Sequence, residues 1–359
     1  MKHYIILMLV TIAILPSCGY KALPQEFISA SMKEVTTDVK TVSLELTHSD
    51  TVSFKTSDCL IYDTLAFSYV RNNDYIISVS NLLSGKLLGN YCKRGRACNE
   101  LIDALPLQEV YLEDGDLKTD LISYHDSKVF VWNITKSLQY HRDIYDSIIQ
   151  LDANNTKTFS IISYRRIDDL LFCYDSKQTQ GHNKDDAPEF SIYSLNTGQK
   201  IKNYDIFKVP AIKFEKGVSY RDYCTNRFTI NKDRTKSFVV FDNFPVYCLI
   251  NLLDGSINSM IFKDLEPFSL NIDRWYFADV QSDDSYVYAL YSGEELYNGM
   301  GTDIPNTLFI FDWNGTLKLI CNLSDRFTEI LIDNGWMYLI HYEGKISKYP
   351  LKSITDNIL

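Results

Sequence analysis

Short runs of alternating apolar and polar residues fill the chain from residue 40 onward, and each run is typical of a half-buried β-strand. Many of these runs come in pairs, which are separated by a few polar residues and a glycine. A glycine at this place favours a tight hairpin, because it accepts the positive φ that a reversing chain requires. The hairpin segments are Asn81–Lys86, Leu195–Gln199, Asn251–Ser256 and Asp312–Thr316, with a version that lacks glycine at Asn133–Ser137.

These hairpin segments recur at a nearly constant interval. Positions 85, 137, 198, 255 and 315 are separated by 52, 61, 57 and 60 residues. One blade of a β-propeller uses about 40–50 residues for four strands, and longer loops extend this length. A sixth unit follows with only three strand-like runs, namely Phe327–Ile332, Trp336–Ile340 and Lys345–Tyr349. The sequence therefore predicts an all-β protein that is a six-bladed β-propeller.

The missing strand of the sixth unit has a candidate near the N-terminus. Thr41–Thr47 alternates Val42, Leu44 and Leu46 with polar residues and has no partner of its own. We expect this strand to pair with the C-terminal blade, which closes the ring and removes an exposed sheet edge. A seven-bladed ring would need about fifty more residues, and a β-sandwich would not give five evenly spaced hairpins.

Composition agrees with a β-protein and excludes some partners. The chain has 359 residues, of which 45% are hydrophobic and 13% are aromatic, so a disordered or mainly helical protein is excluded. The net charge of −10 disfavours binding to nucleic acid or to anionic lipid. We expect the aromatic rings to fill the wedges between blades, and the alternative is that some of them form a sugar-binding face.

The N-terminus predicts export. A basic start at Met1–His3 precedes the apolar run Tyr4–Leu15, which is too short to span a bilayer and is typical of a signal peptide. Leu15–Gly19 resembles the bacterial lipobox, so we expect residues 1–17 to be removed and Cys18 to carry palmitate-type acyl chains. Residues 18–40 would then form a tether for a propeller domain at 41–359. This implies anchorage in the cell envelope, at the outer membrane, and Gly19–Ala22 leaves its face undecided.

The remaining seven cysteines allow two interpretations. Cys92 and Cys98 enclose five residues and could form a disulfide in an oxidising compartment. The alternative is that all seven are small buried hydrophobic residues, which is common for free cysteine.

One segment resembles a known family. In Gly89–Leu101, the residues Lys93, Arg94, Gly95 and Glu100 match the first-blade motif of the TolB-like six-bladed propeller lipoproteins of gut bacteria. Cys92, Ala97, Cys98 and Asn99 depart from that motif, which removes its Gly-Pro-Gly turn. Phe309–Gly315 resembles the penultimate hairpin of the same family. The resemblance implies an envelope lipoprotein whose biochemical role is mostly unassigned.

The basic cluster in this segment is the main predicted site. Lys93, Arg94 and Arg96, with Glu100, could bind an anionic or carboxylate ligand, since arginine gives bidentate hydrogen bonds. The alternative is that Arg94 or Arg96 pairs with Glu100 and fastens one blade to the next.

Motifs for cofactors, metals and common catalytic reactions are missing from the sequence. It contains no phosphate-binding or dinucleotide-binding glycine loop, no zinc-protease motif and no serine-hydrolase elbow, so we expect no cofactor. The histidines do not fall at metal-ligand spacing, and we expect no metal site. The acidic stretch Glu113–Asp116, with Asp120, could offer oxygen ligands to calcium, or it could be a solvated loop.

Two functions fit these observations. The first is a non-enzymatic binding or scaffold propeller, which is held at the membrane by its lipid and recognises a peptide, a glycan or a protein. The alternative is a propeller hydrolase or lyase, lactonase-like or acting on sugars, with a metal held by carboxylates in the channel. The second function requires several carboxylates to converge on the axis.

Overall fold

Six small antiparallel sheets form the body of the protein. The computed structural model describes residues 24–44, 47–49, 58–70, 74–123, 126–151, 161–175, 188–208, 223–265, 274–295, 307–341 and 344–358. The predicted signal peptide and the lipid-bearing Cys18 lie outside the described residues. Three strands precede the first complete sheet, after a 3-10 turn at Pro24–Glu26, and they are β1 (Met32–Val35), β2 (Thr41–Leu44) and β3 (Thr47–Ser49).

Each sheet is one blade, and most blades use four consecutive strands. Blade 1 consists of β4 (Cys59–Tyr62), β5 (Leu65–Tyr69), β6 (Tyr75–Asn81) and β7 (Leu87–Lys93). Blade 2 consists of β8 (Tyr111–Glu113), β9 (Asp116–Ser123), β10 (Lys128–Asn133) and β11 (Tyr145–Gln150). Blade 3 consists of β12 (Ile161–Ile167), β13 (Leu170–Asp175), β14 (Glu189–Ser194) and β15 (Lys200–Tyr204).

The second half of the ring repeats this arrangement. Blade 4 consists of β16 (Asn226–Ile230), β17 (Lys236–Phe241), β18 (Val246–Asn251) and β19 (Ile257–Phe262). Blade 5 consists of β20 (Arg274–Ser282), β21 (Tyr286–Glu295), β22 (Thr307–Asp312) and β23 (Leu317–Leu323). Blade 6 has β24 (Phe327–Asp333), β25 (Trp336–His341) and β26 (Ile346–Pro350), and a short helix follows at Leu351–Thr355. The predicted six-bladed β-propeller is confirmed.

The N-terminal segment closes the ring, as predicted. β3 pairs antiparallel with β26, with Thr47 opposite Lys348, and so supplies the fourth strand of blade 6. The residues that form this fourth strand differ from the prediction, because Thr41–Leu44 does not belong to blade 6. It pairs in parallel with β23 as a fifth strand of blade 5, and β1 pairs in the same way with β19 of blade 4. Leu44 is buried among apolar residues of blades 5 and 6, which explains the alternation seen in the sequence.

The predicted hairpins share one local structure. A side-chain oxygen at the start of the turn accepts backbone N–H groups, as Asn81 Oδ1 does from Ser84 at 2.8 Å and Asp312 Oδ1 from Asn314 at 2.9 Å. The glycine has a positive φ, and at Gly198 it also lies directly against the preceding blade. The segment at Asn133–Ser137 is an exception. The structure places the helix α1 (Ile134–Tyr140) there, capped by Asn133, whose Oδ1 accepts the N–H of Lys136 at 2.9 Å.

Aromatic rings fill the wedges between blades, as expected. Phe238 and Tyr247 of blade 4 stack with ring centroids 5.2 Å apart, and Phe311 of blade 5 packs against both. All three side chains are wholly buried. Each such ring removes roughly 150–250 Å² of surface from water, so these wedges are a major source of stability. The tyrosine hydroxyls add specificity, since Tyr247 donates to the backbone oxygen of Gly315 at 2.8 Å.

The first strands of the blades surround the axis. Neighbouring first strands contact one another, as β16 does with β20 and β20 does with β24. Between them lies a central channel cavity of about 250 Å³, to which all six blades contribute residues. The fold therefore brings the side chains of six distant sequence segments into one space.

Candidate functional site

The loop after β7 carries the four residues predicted to bind a ligand. Lys93 Nζ lies 2.7 Å from Glu100 Oε1, and Glu100 Oε2 accepts the N–H of Ala97 at 3.1 Å. The hydrogen bond between the two side chains raises the pKa of Lys93 and lowers the pKa of Glu100. This ion pair holds the loop in a closed turn, together with a backbone bridge between Arg94 and Leu101.

The two arginines of this loop point to different surroundings. Arg94 Nη2 donates to the backbone oxygen of Val70 at 3.0 Å, and its Nη1 lies 3.4 Å from Asp103 Oδ1. Arg94 therefore fastens the end of β5 to the segment after the loop. Arg96 is exposed, and the part of the chain that the structure describes offers its side chain no hydrogen bond or ion pair. The three cations are thus not gathered at one point, and Lys93, rather than an arginine, pairs with Glu100.

The two cysteines near this loop are free thiols. Cys92 is wholly buried and Cys98 is exposed, and burial raises the pKa of the Cys92 thiol well above its ordinary value. The backbone N–H groups of Cys92 and Lys93 both donate to the carboxylate of Asp143, at 2.7 and 2.9 Å. Side-chain pairing and backbone hydrogen bonds, with no disulfide between these cysteines, hold the loop in this structure.

A shallow cleft of about 820 Å³ lies beside the same loop. It is lined by Lys93, Asn99 and Glu100 from blade 1 and by residues 142–148 from blade 2. Its main acidic groups are already bonded, since Glu100 pairs with Lys93 and Asp143 accepts two backbone N–H groups. The cleft is open, and the contacts within it are those that join blade 1 to blade 2.

The central channel gathers charged groups more closely than the predicted loop does. Its cavity is lined by side chains from the first strands and from the segment before β8, which include Asp58, Cys59, Gln108, Ser163, Arg165, Arg227, Trp275, Asp279 and Glu329. The two arginines and the serine come from the adjacent blades 3 and 4. The three carboxyl groups come from blades 5, 6 and 1, which are also adjacent around the ring.

The arginine side of the channel has unused hydrogen-bond donors. Arg165 Nη1 donates to Gln108 Oε1 at 3.0 Å and to the backbone oxygen of Tyr164 at 2.9 Å. Arg227 makes no hydrogen bond or ion pair with the described residues, although the charge of Asp242 raises its pKa. The hydroxyl of Ser163 is buried and has no partner among the described residues.

On the other side of the channel, three carboxyl oxygens already accept hydrogen bonds from the protein. Asp279 Oδ2 accepts the N–H of Ile330 at 2.9 Å, and its Oδ1 accepts the N–H of Val280 at 2.8 Å. Glu329 Oε2 accepts from the thiol of Cys59 at 3.2 Å. Burial and the nearby Asp279 raise the pKa of Glu329 to about 8, so its carboxyl group holds a proton at neutral pH.

Charge is therefore unevenly distributed across the channel at neutral pH. Burial raises the pKa of Asp279 as well, but its two backbone hydrogen bonds and the charge of Arg227 oppose this rise. Of these two groups, Glu329 is the one whose pKa of about 8 keeps its carboxyl group protonated at neutral pH. The channel thus has two guanidinium groups on one side, and on the other the carboxyl groups of Asp58 and Asp279 beside the neutral carboxyl of Glu329.

The acidic stretch after β8 is occupied by ion pairs. Lys118 Nζ lies 2.9 Å from Glu113 Oε2 and 2.7 Å from an oxygen of Asp146. The buried Asp120 carboxylate accepts from Arg166 at 2.9 Å and from the Tyr111 hydroxyl at 2.9 Å. The contacts of Lys118 and Tyr111 lie within blade 2, whereas the contact of Arg166 with Asp120 joins blade 3 to blade 2. Across the described residues, no group of three or more His, Cys, Asp or Glu side chains is arranged to hold a metal ion.

Arg227, Asp279 and Glu329 were not named from the sequence, although a signal was present. Arg165, Arg227, Asp279 and Glu329 are charged residues inside the first strand of their units, and Asp279 and Glu329 have mostly apolar neighbours. Once six repeats are recognised, a charged residue in a first strand becomes a candidate for the axis.

Comparison with known proteins supports the architecture alone. No family model matches this sequence, and no curated protein matches it. A solved structure does match. It is a DUF4221 family member from Bacteroides vulgatus, with 9% identity and a TM-score of 0.59 over 86% of this chain and 96% of that one. At this identity the likeness shows the β-propeller fold.

Two further structures are similar over most of this chain. BamB from Moraxella catarrhalis has 10% identity and a TM-score of 0.42, over 81% of this chain and 71% of that one. A candidate exported protein from Bacteroides fragilis has 12% identity and a TM-score of 0.48, over 88% and 97%. Both scores are too low to carry an argument about function. Within the described residues, the structure has no helix of the length and hydrophobicity needed to cross a membrane.

Proposed function

We propose that this protein is a lipid-anchored lipoprotein of the cell envelope that binds a ligand in its central channel and does not catalyse a reaction. The observation that carries the binding role is the channel itself, where side chains from all six blades meet around a cavity of about 250 Å³. A ring of packed blades fixes such groups in advance, which lowers the entropy cost of binding. The TolB-like lipoprotein family, which Lys93–Leu101 resembles, is consistent with this role.

The chemistry of the channel supports binding over catalysis. The nucleophile nearest to the carboxyl groups is Cys59, and its thiol donates to Glu329. Burial and the adjacent acids raise the pKa of Cys59 far above its ordinary value, so the thiolate form is strongly disfavoured. Reactive cysteines lie in electropositive surroundings, and this one lies on the acidic side.

A hydrolase or lyase remains the second candidate because carboxyl groups do converge on the axis. Asp58, Asp279 and Glu329 all line the cavity, as such an enzyme requires. Against it, the described residues contain no group arranged to hold a metal, and Asp279 already accepts two backbone N–H groups. A bound calcium or magnesium ion would have to compete with these hydrogen bonds.

The test of the binding role uses the mature chain with and without added calcium or magnesium. It is incubated with lactones, polyuronates and short peptides, and both binding and product formation are measured. We expect binding of at least one class without product. Turnover that requires a divalent ion, and that is lost in Asp279→Asn, would contradict the proposal and favour the enzyme.

Anchoring is tested separately by metabolic labelling. The full chain is produced in a bacterial host that is supplied with labelled palmitate, and we expect the label on the mature protein. Cys18→Ala should abolish the label, whereas Cys98→Ala, which removes an exposed thiol far along the chain, should retain it. Label that persists in Cys18→Ala would contradict attachment at this residue.

A further inference from the structure

The central channel has two chemically different walls. Ser163, Arg165 and Arg227, which we name the donor wall, come from the first strands of blades 3 and 4. The acidic wall consists of Asp58, Asp279 and Glu329, from blades 1, 5 and 6. Each set comes from adjacent blades, and the two walls meet where β16, which carries Arg227, contacts β20, which carries Asp279.

Two members of the donor wall have no hydrogen-bond partner among the described residues. Arg227 has a charged guanidinium with no hydrogen bond or ion pair among the described residues, although it is accessible inside the channel. Ser163 is nine-tenths buried, at 9% exposure, and its hydroxyl has no partner there either. A buried hydroxyl group without a partner, such as that of Ser163, is uncommon in native proteins. A ligand with an anionic group would satisfy both.

The acidic wall restricts what the rest of that ligand can be. A second anionic group would meet Asp279, whose ionised form is favoured by two backbone hydrogen bonds and by the charge of Arg227, although burial raises its pKa. An ammonium group would be attracted there, and the neutral carboxyl of Glu329 offers a further acceptor oxygen. Two like charges repel strongly at short range in a poorly solvated space. The acidic wall therefore favours a cationic group of the ligand over an anionic one.

The size of the cavity sets an upper limit on the ligand. Pockets for drug-sized molecules have about 300–1,000 Å³, whereas this one has about 250 Å³. It therefore suits a molecule of the size of an amino acid or a dipeptide. The indole of Trp275, which is 43% exposed, lies in the same lining and offers an apolar surface.

We propose that the channel binds a small zwitterion, with its carboxylate on Arg227, Arg165 and Ser163 and its ammonium group towards Asp279. The chemistry is that of a free amino acid or of a short peptide with both termini free. This inference rests on the proposed binding function and names the class of ligand for that site.

The experiment is calorimetric titration of the mature protein with four probes. L-alanine and glycylglycine are zwitterions of two lengths, propionate has only the carboxylate, and propylamine has only the ammonium group. Small ligands of about four to nine heavy atoms reach Kd values of about 1 mM or somewhat below, so the titrations extend to about 10 mM. We expect at least one zwitterion to bind about tenfold more tightly than propionate or propylamine, and the better zwitterion distinguishes amino acid from peptide.

Variants locate the binding site. Arg227→Gln should weaken binding of the zwitterion by about tenfold or more, since it removes a charged bidentate donor. Arg96→Gln is the matched control, because it removes the same charge from an exposed side chain outside the channel and should leave Kd unchanged. Ser163→Ala tests the donor wall without changing charge and should also weaken binding, even if Arg227→Gln folds poorly.

Several results would overturn the inference. They are the absence of binding by both zwitterions at about 10 mM, equal affinity for propionate, and an Arg227→Gln or Ser163→Ala protein that binds as well as the original. A glycan or longer peptide that binds with an affinity insensitive to Arg227→Gln would leave the binding function standing and reject this site and ligand. Absence of binding by every class of ligand would reject both.

Discussion

At the scale of single residues, three carboxyl groups in or near the channel are held in their neutral form more strongly than in water. Burial raises the pKa of Glu329 to about 8, that of Glu109 to about 7 and that of Asp242 to about 6. In the unfolded chain these groups release their protons near pH 4–4.5. Through these three groups the folded state binds more protons than the unfolded state between about pH 4.5 and 8, so they lower its stability as the pH rises through this interval.

Glu329→Gln isolates the largest of these effects. Glutamine resembles the protonated side chain and does not titrate. The variant therefore avoids the loss of stability that arises when Glu329 ionises in the unfolded chain but stays protonated in the folded one. We expect the variant to gain stability relative to the original protein as the pH rises from about 5 to 8, with little further change above pH 8. Asp279, Asp58, Cys59 and Arg227 surround this residue and remain unchanged.

The measurement is urea unfolding at pH 5, 6, 7 and 8. A difference between the two proteins that stays constant over this range would contradict a raised pKa at Glu329. Glu100→Gln is the control, because the pKa of Glu100 is lowered by Lys93 and no gain with rising pH is expected.

Residue identity alone did not distinguish charged side chains that are available to a ligand from those that pair within the protein. Lys93 and Glu100 look like a binding site in the sequence, but they pair with each other, and Arg94 is directed towards Val70 and Asp103. A loop that returns on itself satisfies its own charges, and this closure depends on backbone geometry that a motif does not encode. Arg227 drew no attention in the sequence, because its neighbours in the chain carry no motif.

At the scale of secondary-structure elements, the hairpins are where the sequence was most informative. An Asn or Asp with a glycine a few residues later predicts the turn because both act locally, through a side-chain oxygen and a positive φ. The segment at Asn133–Ser137 was misassigned for the same reason, since Asn133 can also cap a helix, and the structure uses it to start α1. A polar residue alone does not distinguish these two roles.

The glycine at 198 provides a test of how hairpins are packed between blades. A Cβ atom added to Gly198 would lie 1.9 Å from the backbone oxygen of Gln150 in the preceding blade, and its φ is +72°. We expect Gly198→Ala to destabilise the protein by about 2–4 kcal/mol, from the backbone strain together with the collision. The free energy of unfolding in urea measures this effect.

Gly335→Ala is the matched control for this variant. Gly335 has a φ of +77° but no atom within 4 Å of the added Cβ position, so only the backbone strain of about 1–2 kcal/mol remains. Equal losses in the two variants would show that the turn at Gly198 does not press against its neighbour.

At the scale of the whole molecule, the N-terminal strands determine how the ring is closed. The closure itself could be predicted, because the last unit lacks a strand and the chain has a spare one at its start. The residues could not be assigned from the sequence, since β2 and β3 lie close together and the predicted strand at 41–47 overlaps both. Only the pairing of Leu44 with Leu323 and of Thr47 with Lys348 shows which strand joins which blade.

Stepwise truncation tests this closure. A chain that begins at residue 24 keeps all three N-terminal strands. Chains that begin at residues 37, 46 and 50 lack β1, then β1 and β2, and then all three strands. We expect the last step, which removes only four more residues, to lower Tm by several degrees and to broaden the unfolding transition, because it leaves β26 unpaired and opens the ring. Differential scanning calorimetry on the four chains gives both quantities. If the chains that begin at residues 46 and 50 unfold alike, β3 does not close the ring.

The central claim is that the charged channel of this closed ring holds a zwitterion between its two walls. The most direct measurement is a crystal structure of the mature protein grown with glycylglycine or L-alanine. We predict density for the ligand in the channel, with its carboxylate within hydrogen-bond distance of Arg227 and its ammonium group nearer to Asp279. A channel that stays free of ligand at saturating concentration, or a ligand bound with its carboxylate away from Arg227, would contradict the account.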